Sequence, residues 1–240
     1  MELRESVVLV TGAGRGIGRA TALAFARFGA RVALLATTRK HLLDVQKEIK
    51  PLGVATAILS ADVSDEGAVA RAVAATEQQL GPVDILVNNA GIYADGPLER
   101  FDTIVFDRLI AVNLRGPFLM IRAVLPGMKA RRRGHILNVS STAGRRGYAG
   151  GGPYCASKFG LAGLSESVMQ EARPFDVRVS CLFPSTVATD MARRGGFAGD
   201  EARSIHPEDV ADAIVSLAAM ENRAMVTGIE LWQTNPKPAP

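Results

Sequence analysis

The chain has few cysteines and few aromatic residues. Its 240 residues include two cysteines, Cys155 and Cys181, and 5% aromatic residues. Two cysteines are too few for a disulfide framework, and these two lack the spacing of metal ligands, so we predict no bound metal. Cys155 follows Tyr154 directly, but its position is more typical of a small helix-packing residue than of a reactive thiol.

Long apolar runs and a strong excess of charge are missing as well. No run of eighteen apolar residues occurs, which argues against a membrane span. The apolar run at residues 7–10 is too short for a signal sequence and lacks a cleavage site, so we expect a cytoplasmic protein. The net charge is +4, and the basic residues form local clusters without a nucleic-acid-binding motif. We therefore expect a small anionic cofactor or substrate rather than nucleic acid.

Apolar, strand-like runs alternate with helical patterns along the whole chain. The strand-like runs lie at residues 7–10, 31–36, 54–61, 83–87, 135–139, 177–183 and 225–233. This alternation predicts an α/β fold with a doubly wound, mostly parallel seven-stranded Rossmann-type sheet and helices on both faces. We expect a single domain over residues 1–240, with a substrate lid at 190–206 and a frayed tail at 235–240.

A glycine-rich loop follows the first predicted strand and leads into a helical pattern. A strand, a glycine loop and a helix N-terminus together form a pyrophosphate site, because free N–H groups and the helix dipole attract an anion. The spacing departs from G-x-G-x-x-G, because Ile17 stands where the third glycine should be. A tight turn without a ligand is the alternative. We favour dinucleotide binding, with contacts from Gly12, Gly14, Arg15, Gly16, Ile17 and Gly18.

The second predicted strand ends without an acidic residue. No Asp or Glu occurs between Gly18 and Asp44, so the usual acceptor for the adenosine ribose diol is missing. The strand ends instead in Thr37-Thr38-Arg39-Lys40, and Arg15 is available from the glycine loop. Cations and hydroxyls suit a 2′-phosphate, although Arg39 and Lys40 could simply be solvated at a helix N-terminus. We predict NADP(H) rather than NAD(H), bound by Thr37, Thr38 and Arg39.

Polar and small residues also follow the third and fourth predicted strands. The third strand ends in Asp62-Val63, and the fourth in Asn88-Asn89-Ala90-Gly91. Asp62 could accept a hydrogen bond from the adenine amino group, or Asp62 or Ser64 could cap the next helix; the residues leave this open. Asn89, Ala90 and Gly91 suit a hydrogen-bonded floor under a cofactor, because ligands bind at the carboxyl ends of such strands.

A long helical pattern extends from about residue 101 to 132, with Pro117 and Pro126 as predicted bends. Asn113 lies in the middle of it, where an amide is a poor helix former. A kinked helix that turns this amide into the site would explain both Asn113 and the neighbouring Gly116. A surface asparagine is an equally good interpretation.

The segment from Ser141 to Lys158 brings together a hydroxyl, a phenol and an amine. Pro153 suits the first turn of a helix, on which Tyr154 and Lys158 share a face. An ammonium beside a phenol favours the phenolate, so we expect Lys158 to lower the Tyr154 pKa. Such a phenol can exchange a proton with a carbonyl or an alcohol. The glycines before Pro153 let the chain turn so that Ser141 faces Tyr154. A solvated helix face is the alternative.

The order of these motifs resembles the short-chain dehydrogenase/reductase family along nearly the whole chain. The resemblance implies a catalytic tetrad of Asn113, Ser141, Tyr154 and Lys158; Ser141 is preferred over Ser140 because the family's serine lies thirteen residues before its tyrosine. It further implies that Tyr154 is the general acid, that Ser141 holds the carbonyl oxygen, that Lys158 binds the nicotinamide ribose and that Asn113 holds a relay water. The cofactor contacts expected from the likeness and the motifs together include Asp62, Val63, Asn89, Ala90, Gly91, Tyr154, Lys158, Pro184, Val187 and Thr189.

Two departures from the family pattern bear on the substrate. Pro184-Ser185 replaces the usual Pro-Gly, and the last strand runs into Glu230-Leu-Trp232 rather than the Asp-Gly-Gly of acyl-carrier-protein reductases. The lid is short and contains Gly195, Gly196 and Gly199, which suggests an open pocket and a broad substrate range.

We therefore predict an NADPH-dependent reductase of ketones or aldehydes that is reversible as an alcohol dehydrogenase. The alternative enzyme is a 3-oxoacyl-thioester reductase, in which Arg145 and Arg146 would contact an acidic carrier or phosphopantetheine, although a solvated loop is the favoured interpretation of this pair. A cofactor-binding sensor or scaffold is the non-enzymatic alternative. The resemblance also implies a homodimer or homotetramer formed through the helices that hold Asn113 and Tyr154.

Overall fold

The computed structural model describes residues 2–196 and 203–234. Seven strands and eight α-helices alternate within these ranges. The strands are β1 (Val7–Thr11), β2 (Arg31–Ala36), β3 (Thr56–Ser60), β4 (Ile85–Asn88), β5 (Gly134–Val139), β6 (Val177–Pro184) and β7 (Gly228–Leu231). The helices are α1 (Gly16–Arg27), α2 (Arg39–Ile49), α3 (Glu66–Leu80), α4 (Thr103–Ile110), α5 (Gly116–Arg131), α6 (Gly152–Ala172), α7 (Asp190–Arg194) and α8 (Pro207–Ala219). The predicted tail at 235–240 and the middle of the predicted lid lie outside the described residues.

The strands form one sheet in the order β3-β2-β1-β4-β5-β6-β7, and every pairing is parallel. The predicted seven-stranded, Rossmann-type sheet is therefore confirmed. The strand order reverses between β1 and β4, which makes the crevice above their carboxyl ends the topological switch point. The polar residues that follow the strands in sequence consequently meet at this edge.

The two faces of the sheet bury separate hydrophobic cores. Along β1, Val8 and Val10 pack under α1, α2 and α8, whereas Val7 and Leu9 face α3, α5 and α6. Alternate residues of a strand point to opposite faces, so a strand covered by helices on both sides must be apolar throughout. This requirement explains why the first strand is a continuous apolar run without a polar face.

The long helix predicted for residues 101–132 is divided into three parts. A five-residue π-helical segment, Ala111–Arg115, joins α4 to α5. Of the two prolines, Pro126 lies inside α5, whereas Pro117 lies in its first turn, where its missing N–H is tolerated. At Gly116 a Cβ would lie 2.8 Å from the Val63 side chain, so glycine permits the close approach of this helix to the end of β3.

The same stretch, Thr103–Arg131, is long and apolar enough by composition to cross a membrane, and half of its apolar window is buried inside the protein. It packs against α3, α6 and the sheet in one of the two cores. The stretch thus has the packing of a core helix.

Candidate active site

A cavity of about 640 Å³ opens at the carboxyl edge of the sheet. This volume is within the range of sites for small molecules and cofactors. Three predicted site residues do not line it, namely Gly18, Arg39 and Asn113. The predicted site residues that do line it are Gly12, Gly14, Arg15, Gly16, Ile17, Thr37, Thr38, Asp62, Val63, Asn89, Ala90, Gly91, Ser141, Tyr154, Lys158, Pro184, Val187 and Thr189.

The glycine loop is a close-packed cradle at one end of the cavity. Gly12 adopts a φ of +66°, which favours glycine. A Cβ on Gly18 would lie 2.2 Å from the Gly12 carbonyl oxygen, so Gly18 supports the loop from behind although it does not line the cavity. Arg15 is the N-cap residue of α1, and its side chain makes no capping hydrogen bond. The N-cap side chain therefore does not occupy the first N–H groups of this helix. These features fit a pyrophosphate.

Hydrogen bonds fix the glycine loop to the end of β4. Asn89 Nδ2 donates to the Thr11 carbonyl at 2.9 Å and to the Gly12 carbonyl at 3.3 Å. Thr11 Oγ1 in turn accepts from the backbone N–H groups of Asn89 and Ala90, both at 3.0 Å. Thr11 was not among the predicted site residues, because its role depends on a strand that lies 76 residues or more away in the chain.

The end of β2 differs in part from the prediction. Thr37 and Thr38 line the cavity, but Arg39 does not. Arg39 begins α2 and is exposed at the surface, so its predicted contact with the cofactor stays a prediction. His41 lines the cavity instead and packs so closely on Gly14 that a Cβ there would lie 2.9 Å from the His41 Cβ.

Arg15, from the glycine loop, is a basic residue of the cavity wall. Its Nη1 lies 3.9 Å from Asp190 Oδ2, and its side chain is more than half exposed. An exposed ion pair of this length is weak, so the guanidinium is available to an anionic ligand.

Asp62 forms an ion pair with Arg108 that was not predicted from the sequence. Its Oδ1 accepts from the backbone N–H and the hydroxyl of Ser64, and its Oδ2 accepts from Arg108 Nη2 at 2.6 Å. Partial burial would raise the pKa of Asp62, but these hydrogen bonds outweigh it and lower the pKa below its usual value. The cap of α3 is Asp65, which accepts from the Ala68 N–H, so the interpretation of Asp62 or Ser64 as that cap is wrong.

Asn113 is buried in the π-helical segment, and the surface-asparagine interpretation is wrong. Its Oδ1 accepts from the Ile92 N–H at 2.8 Å, and its Nδ2 donates to the Ile92 carbonyl at 2.9 Å. Nδ2 also donates to Ser157 Oγ at 3.1 Å. The amide therefore clamps the chain just beyond Gly91 to α6, one layer behind the cavity wall. Such single-turn π segments are frequent at functional sites.

Ser141, Tyr154 and Lys158 converge at the other end of the cavity. Tyr154 and Lys158 lie one turn apart on α6, with Lys158 Nζ 5.8 Å from the centroid of the Tyr154 ring. Ser141 follows β5 and its side chain hydrogen-bonds Tyr154. The neighbouring Ser140 is turned to the main chain of α6, where its hydroxyl donates to the Lys158 carbonyl at 3.0 Å. The geometry thus favours Ser141 over Ser140 as the partner of the phenol.

The ionisation of this group differs from the expectation. Burial raises the pKa of Tyr154 well above its ordinary value of 10, and the hydrogen bond from Ser141 offsets this only in part. Lys158 is buried, its Nζ donates to the Val139 carbonyl at 3.0 Å, and burial lowers its pKa from 10.5 to about 8. The expected lowering of the Tyr154 pKa by Lys158 is therefore wrong for this geometry. Tyr154 is a neutral phenol, which suits a proton donor.

The two arginines of the segment after β5 point in different directions. The Arg145 guanidinium stacks 4.1 Å from the centroid of the buried Phe183 ring. Arg146 lines the cavity, where its Nη1 pairs with Glu230 Oε2 at 3.0 Å. Neither guanidinium is directed freely into the cavity toward an acidic ligand.

The described parts of the lid lie on both sides of residues 197–202. Thr189 caps α7 by accepting from the Ala192 N–H at 3.3 Å, and α7 contributes Asp190, Met191 and Ala192 to the cavity wall. The Ala188 N–H donates to the Ile205 carbonyl at 2.8 Å, which draws the two ends of the lid together. Gly199, which was predicted to make the lid flexible, lies outside the described residues.

Comparison with known proteins finds relatives of similar sequence and fold. A family model described as short chain dehydrogenase matches residues 6–196. A sepiapterin reductase of Chlorobaculum tepidum is 34% identical over 238 residues, covering 95% of this chain and 96% of its own. A 3-oxoacyl-[acyl-carrier-protein] reductase of Thermotoga maritima is 35% identical over 236 residues, covering 95% and 96%. A metagenomic short-chain oxidoreductase, solved in complex with NADP, superposes with a TM-score of 0.85 at 38% identity and covers 96% of this chain and 98% of its own.

Proposed function

Because the chain belongs to the short-chain dehydrogenase/reductase family, we propose that it reduces ketones or aldehydes with NADPH and oxidises the corresponding alcohols with NADP⁺. The observation that carries this proposal is the convergence of Ser141, Tyr154 and Lys158 at one end of a cavity whose other end is a glycine-lined helix N-terminus. We further propose that the enzyme acts in the cytoplasm, as expected from the sequence.

The preference for NADP(H) rests on the chemistry at the end of β2. A carboxylate that would accept from the ribose diol of NAD is missing there, and the hydroxyls of Thr37 and Thr38 line the wall. Arg15 supplies a guanidinium on the same wall, which suits a 2′-phosphate. The similar metagenomic oxidoreductase was solved with NADP, which supports the same assignment.

Each residue of the tetrad has its own role in the reduction of the carbonyl group. A bound nicotinamide would supply the hydride for the carbonyl carbon. Tyr154 donates its phenolic proton to the carbonyl oxygen, and the Ser141 hydroxyl holds that oxygen so that the developing negative charge is stabilised before the proton arrives. Lys158 would hold the cofactor ribose, as the family likeness implies. Asn113 fixes Ile92 and, by the family likeness, holds a water that returns a proton toward Lys158 and Tyr154.

The 3-oxoacyl-thioester reductase remains the second candidate, and the named relative from Thermotoga maritima favours it. Two contacts argue against it: Arg145 stacks on Phe183 and Arg146 pairs with Glu230, so these two arginines are not free to bind an acidic carrier. A sensor or scaffold would not need Ser141, Tyr154 and Lys158 together at one cavity.

A homodimer or homotetramer is also part of the proposal. Large apolar side chains are exposed on α4, α5 and α6, which hold or flank Asn113 and Tyr154, and a second copy of the chain would cover them. They are Ile104, Phe106, Phe118 and Phe159. Light scattering coupled to size-exclusion chromatography tests this: a monomer at micromolar concentration contradicts it.

The substitution Tyr154→Phe tests the reaction itself. It removes one hydroxyl and keeps the ring, so we expect the kcat for ketone reduction to fall by about 10²- to 10⁴-fold, the range of general acid catalysis. The affinity for NADPH, measured by titration, should remain within about two-fold of wild type, a change of only ~0.4 kcal/mol. Unchanged NADPH oxidation across a panel of ketones and thioesters would refute the assigned role.

A further inference from the structure

The aromatic residues of this chain are unevenly distributed. The chain contains three tyrosines and one tryptophan. All four, Tyr93, Tyr148, Tyr154 and Trp232, line the same cavity, although they come from four separate segments. Every tyrosine and the single tryptophan of the chain therefore line the cavity that holds Ser141 and Lys158.

Tyr93 and Tyr148 are held in a fixed arrangement beside the catalytic phenol. The Tyr93 ring meets Tyr154 edge to face, with centroids 4.9 Å apart and an interplanar angle of 69°. The Tyr148 hydroxyl donates to the Tyr93 hydroxyl at 3.4 Å. The Tyr148 ring lies so close to Gly151 that a Cβ there would come within 2.3 Å of it, so a glycine is needed to seat this ring.

The loops that carry these two tyrosines are joined through their main chains. The Gly96 N–H donates to the Gly150 carbonyl at 2.9 Å, and Gly150 adopts a φ of +79°. The glycine-rich run before α6 therefore does more than let the chain turn back. It fixes the wall on which Tyr148 faces Tyr93.

A hydrogen bond from its indole N–H orients Trp232. Its Nε1 donates to Glu230 Oε2 at 2.8 Å, and the same oxygen accepts from Arg146 Nη1 at 3.0 Å. The Arg146 guanidinium lies 5.3 Å from the centroid of the indole ring. The pairing neutralises Arg146, so the local chemistry is that of an aromatic ring rather than of an anion site. Trp232 nevertheless keeps 53% of its surface exposed, and Tyr148 keeps 42%.

We propose that Tyr93, Tyr148 and Trp232 form an aromatic subsite that takes the planar aromatic substituent of the carbonyl substrate. Pairs of aromatic rings gain about 0.5–1.5 kcal/mol beyond the burial of apolar area, and a fixed wall loses little freedom on binding. The enzyme is then selective for aryl ketones and aryl aldehydes, which narrows the broad range expected from the short lid. The reaction part of this inference rests on the proposed function, whereas the binding part does not.

The first experiment compares acetophenone with cyclohexyl methyl ketone, which has the same carbon skeleton with a saturated ring. The ratio of their kcat/KM values is measured in wild type, Trp232→Leu and Tyr148→Leu, so that intrinsic reactivity cancels between proteins. We expect each substitution to lower the ratio about five-fold, within the range of one aromatic contact. Phe28→Leu removes an exposed ring that does not line the cavity and should leave the ratio unchanged. Equal ratios in all four proteins would overturn the inference while leaving the proposed reaction standing.

The second experiment measures binding alone and uses the single tryptophan as its probe. NADPH-saturated protein, in which alcohols cannot be oxidised, is titrated with 1-phenylethanol and with 1-cyclohexylethanol while Trp232 emission is followed. We expect the phenyl compound to bind about five-fold more tightly. A merely apolar surface would favour the cyclohexyl compound, and that result would overturn the subsite. A phenyl preference without turnover of any ketone would support the subsite and refute the proposed reaction instead.

Discussion

The two ends of the cavity are built by different means. At the cofactor end the wall is mostly main chain: the loop around Gly12 is shaped by atoms that approach too closely for any side chain. At the carbonyl end the wall consists of side chains, namely Ser141, Tyr154 and the rings of Tyr93, Tyr148 and Trp232. Main-chain N–H groups recognise a phosphate whatever the neighbouring side chains are, whereas side chains decide which carbonyl compound fits. Substitutions at the cofactor end should therefore disrupt cofactor binding, whereas substitutions at the carbonyl end should change which carbonyl compound binds.

Substitution of Gly18 by alanine should weaken cofactor binding more than any other change at the cofactor end that we consider. The new Cβ would lie 2.2 Å from the Gly12 carbonyl oxygen, which is fixed main chain and cannot move aside. We expect a loss of about 1–3 kcal/mol in the free energy of unfolding and a fall in NADPH affinity of tenfold or more. Chemical denaturation and NADPH titration measure the two quantities.

A matched control exists on α6. A Cβ on Gly163 would meet nothing within 4 Å, so Gly163→Ala should leave NADPH affinity unchanged and stabilise the helix by about 0.5–1 kcal/mol. If Gly18→Ala left NADPH affinity unchanged, as expected for Gly163→Ala, the close packing of the glycine loop would not be required for cofactor binding.

Burial of Lys158 predicts a pH dependence of stability at the carbonyl end. Its pKa is about 8 in the folded chain against an ordinary 10.5, so between these values the unfolded chain binds more protons. The stability contributed by this group therefore rises with pH across that window, and the full cost of burying the charge is present below pH 8. Relative to Lys158→Met, the wild type should gain on the order of 1–3 kcal/mol between pH 8 and pH 10.5.

Denaturation of both proteins at pH 7.5, 9 and 10.5 measures this difference. Lys158→Arg, which stays charged throughout, is the control and should follow the flat course of Lys158→Met. A wild-type advantage that is independent of pH, or that shrinks as pH rises, would contradict the buried and easily deprotonated amine.

A smaller effect is expected from Arg15→Ala and Arg39→Ala, which test which arginine binds the 2′-phosphate at the cofactor end. Arg15 lines the cavity and Arg39 does not. We expect Arg15→Ala to reduce the ratio of kcat/KM for NADPH over NADH about five-fold, because an exposed guanidinium contributes only ~1 kcal/mol to binding a phosphate. Arg39→Ala should leave the ratio unchanged. The opposite pattern would assign the 2′-phosphate to Arg39, as predicted from the sequence.

The features that were predictable from sequence are those whose signal is local. The apolar run of β1 could be interpreted as a strand buried on both faces, because both cores demand apolar residues there. Tyr154 and Lys158 lie one turn apart on a single helix, so their common face follows from spacing alone. The glycine loop lies within eight residues.

The contacts missed by sequence reasoning join distant segments. Arg108 reaches Asp62 from α4, and His41 packs on Gly14 from α2. The ionisation of Tyr154 was predicted wrongly for the same reason, because the burial that raises its pKa comes from elements far along the chain and the Lys158 ammonium is taken up by the Val139 carbonyl. The contact of Arg39 with the cofactor stays a prediction, because the position of this side chain depends on where α2 begins.

The most direct test of the account measures turnover with each nicotinamide cofactor. Purified protein is assayed at 340 nm with acetophenone, cyclohexyl methyl ketone and an acetoacetyl thioester, each with NADPH and with NADH. We predict turnover of the simple ketones with a kcat/KM at least about tenfold higher for NADPH, equivalent to about 1.4 kcal/mol. Equal or better turnover with NADH, or reduction of the thioester alone, would contradict the account.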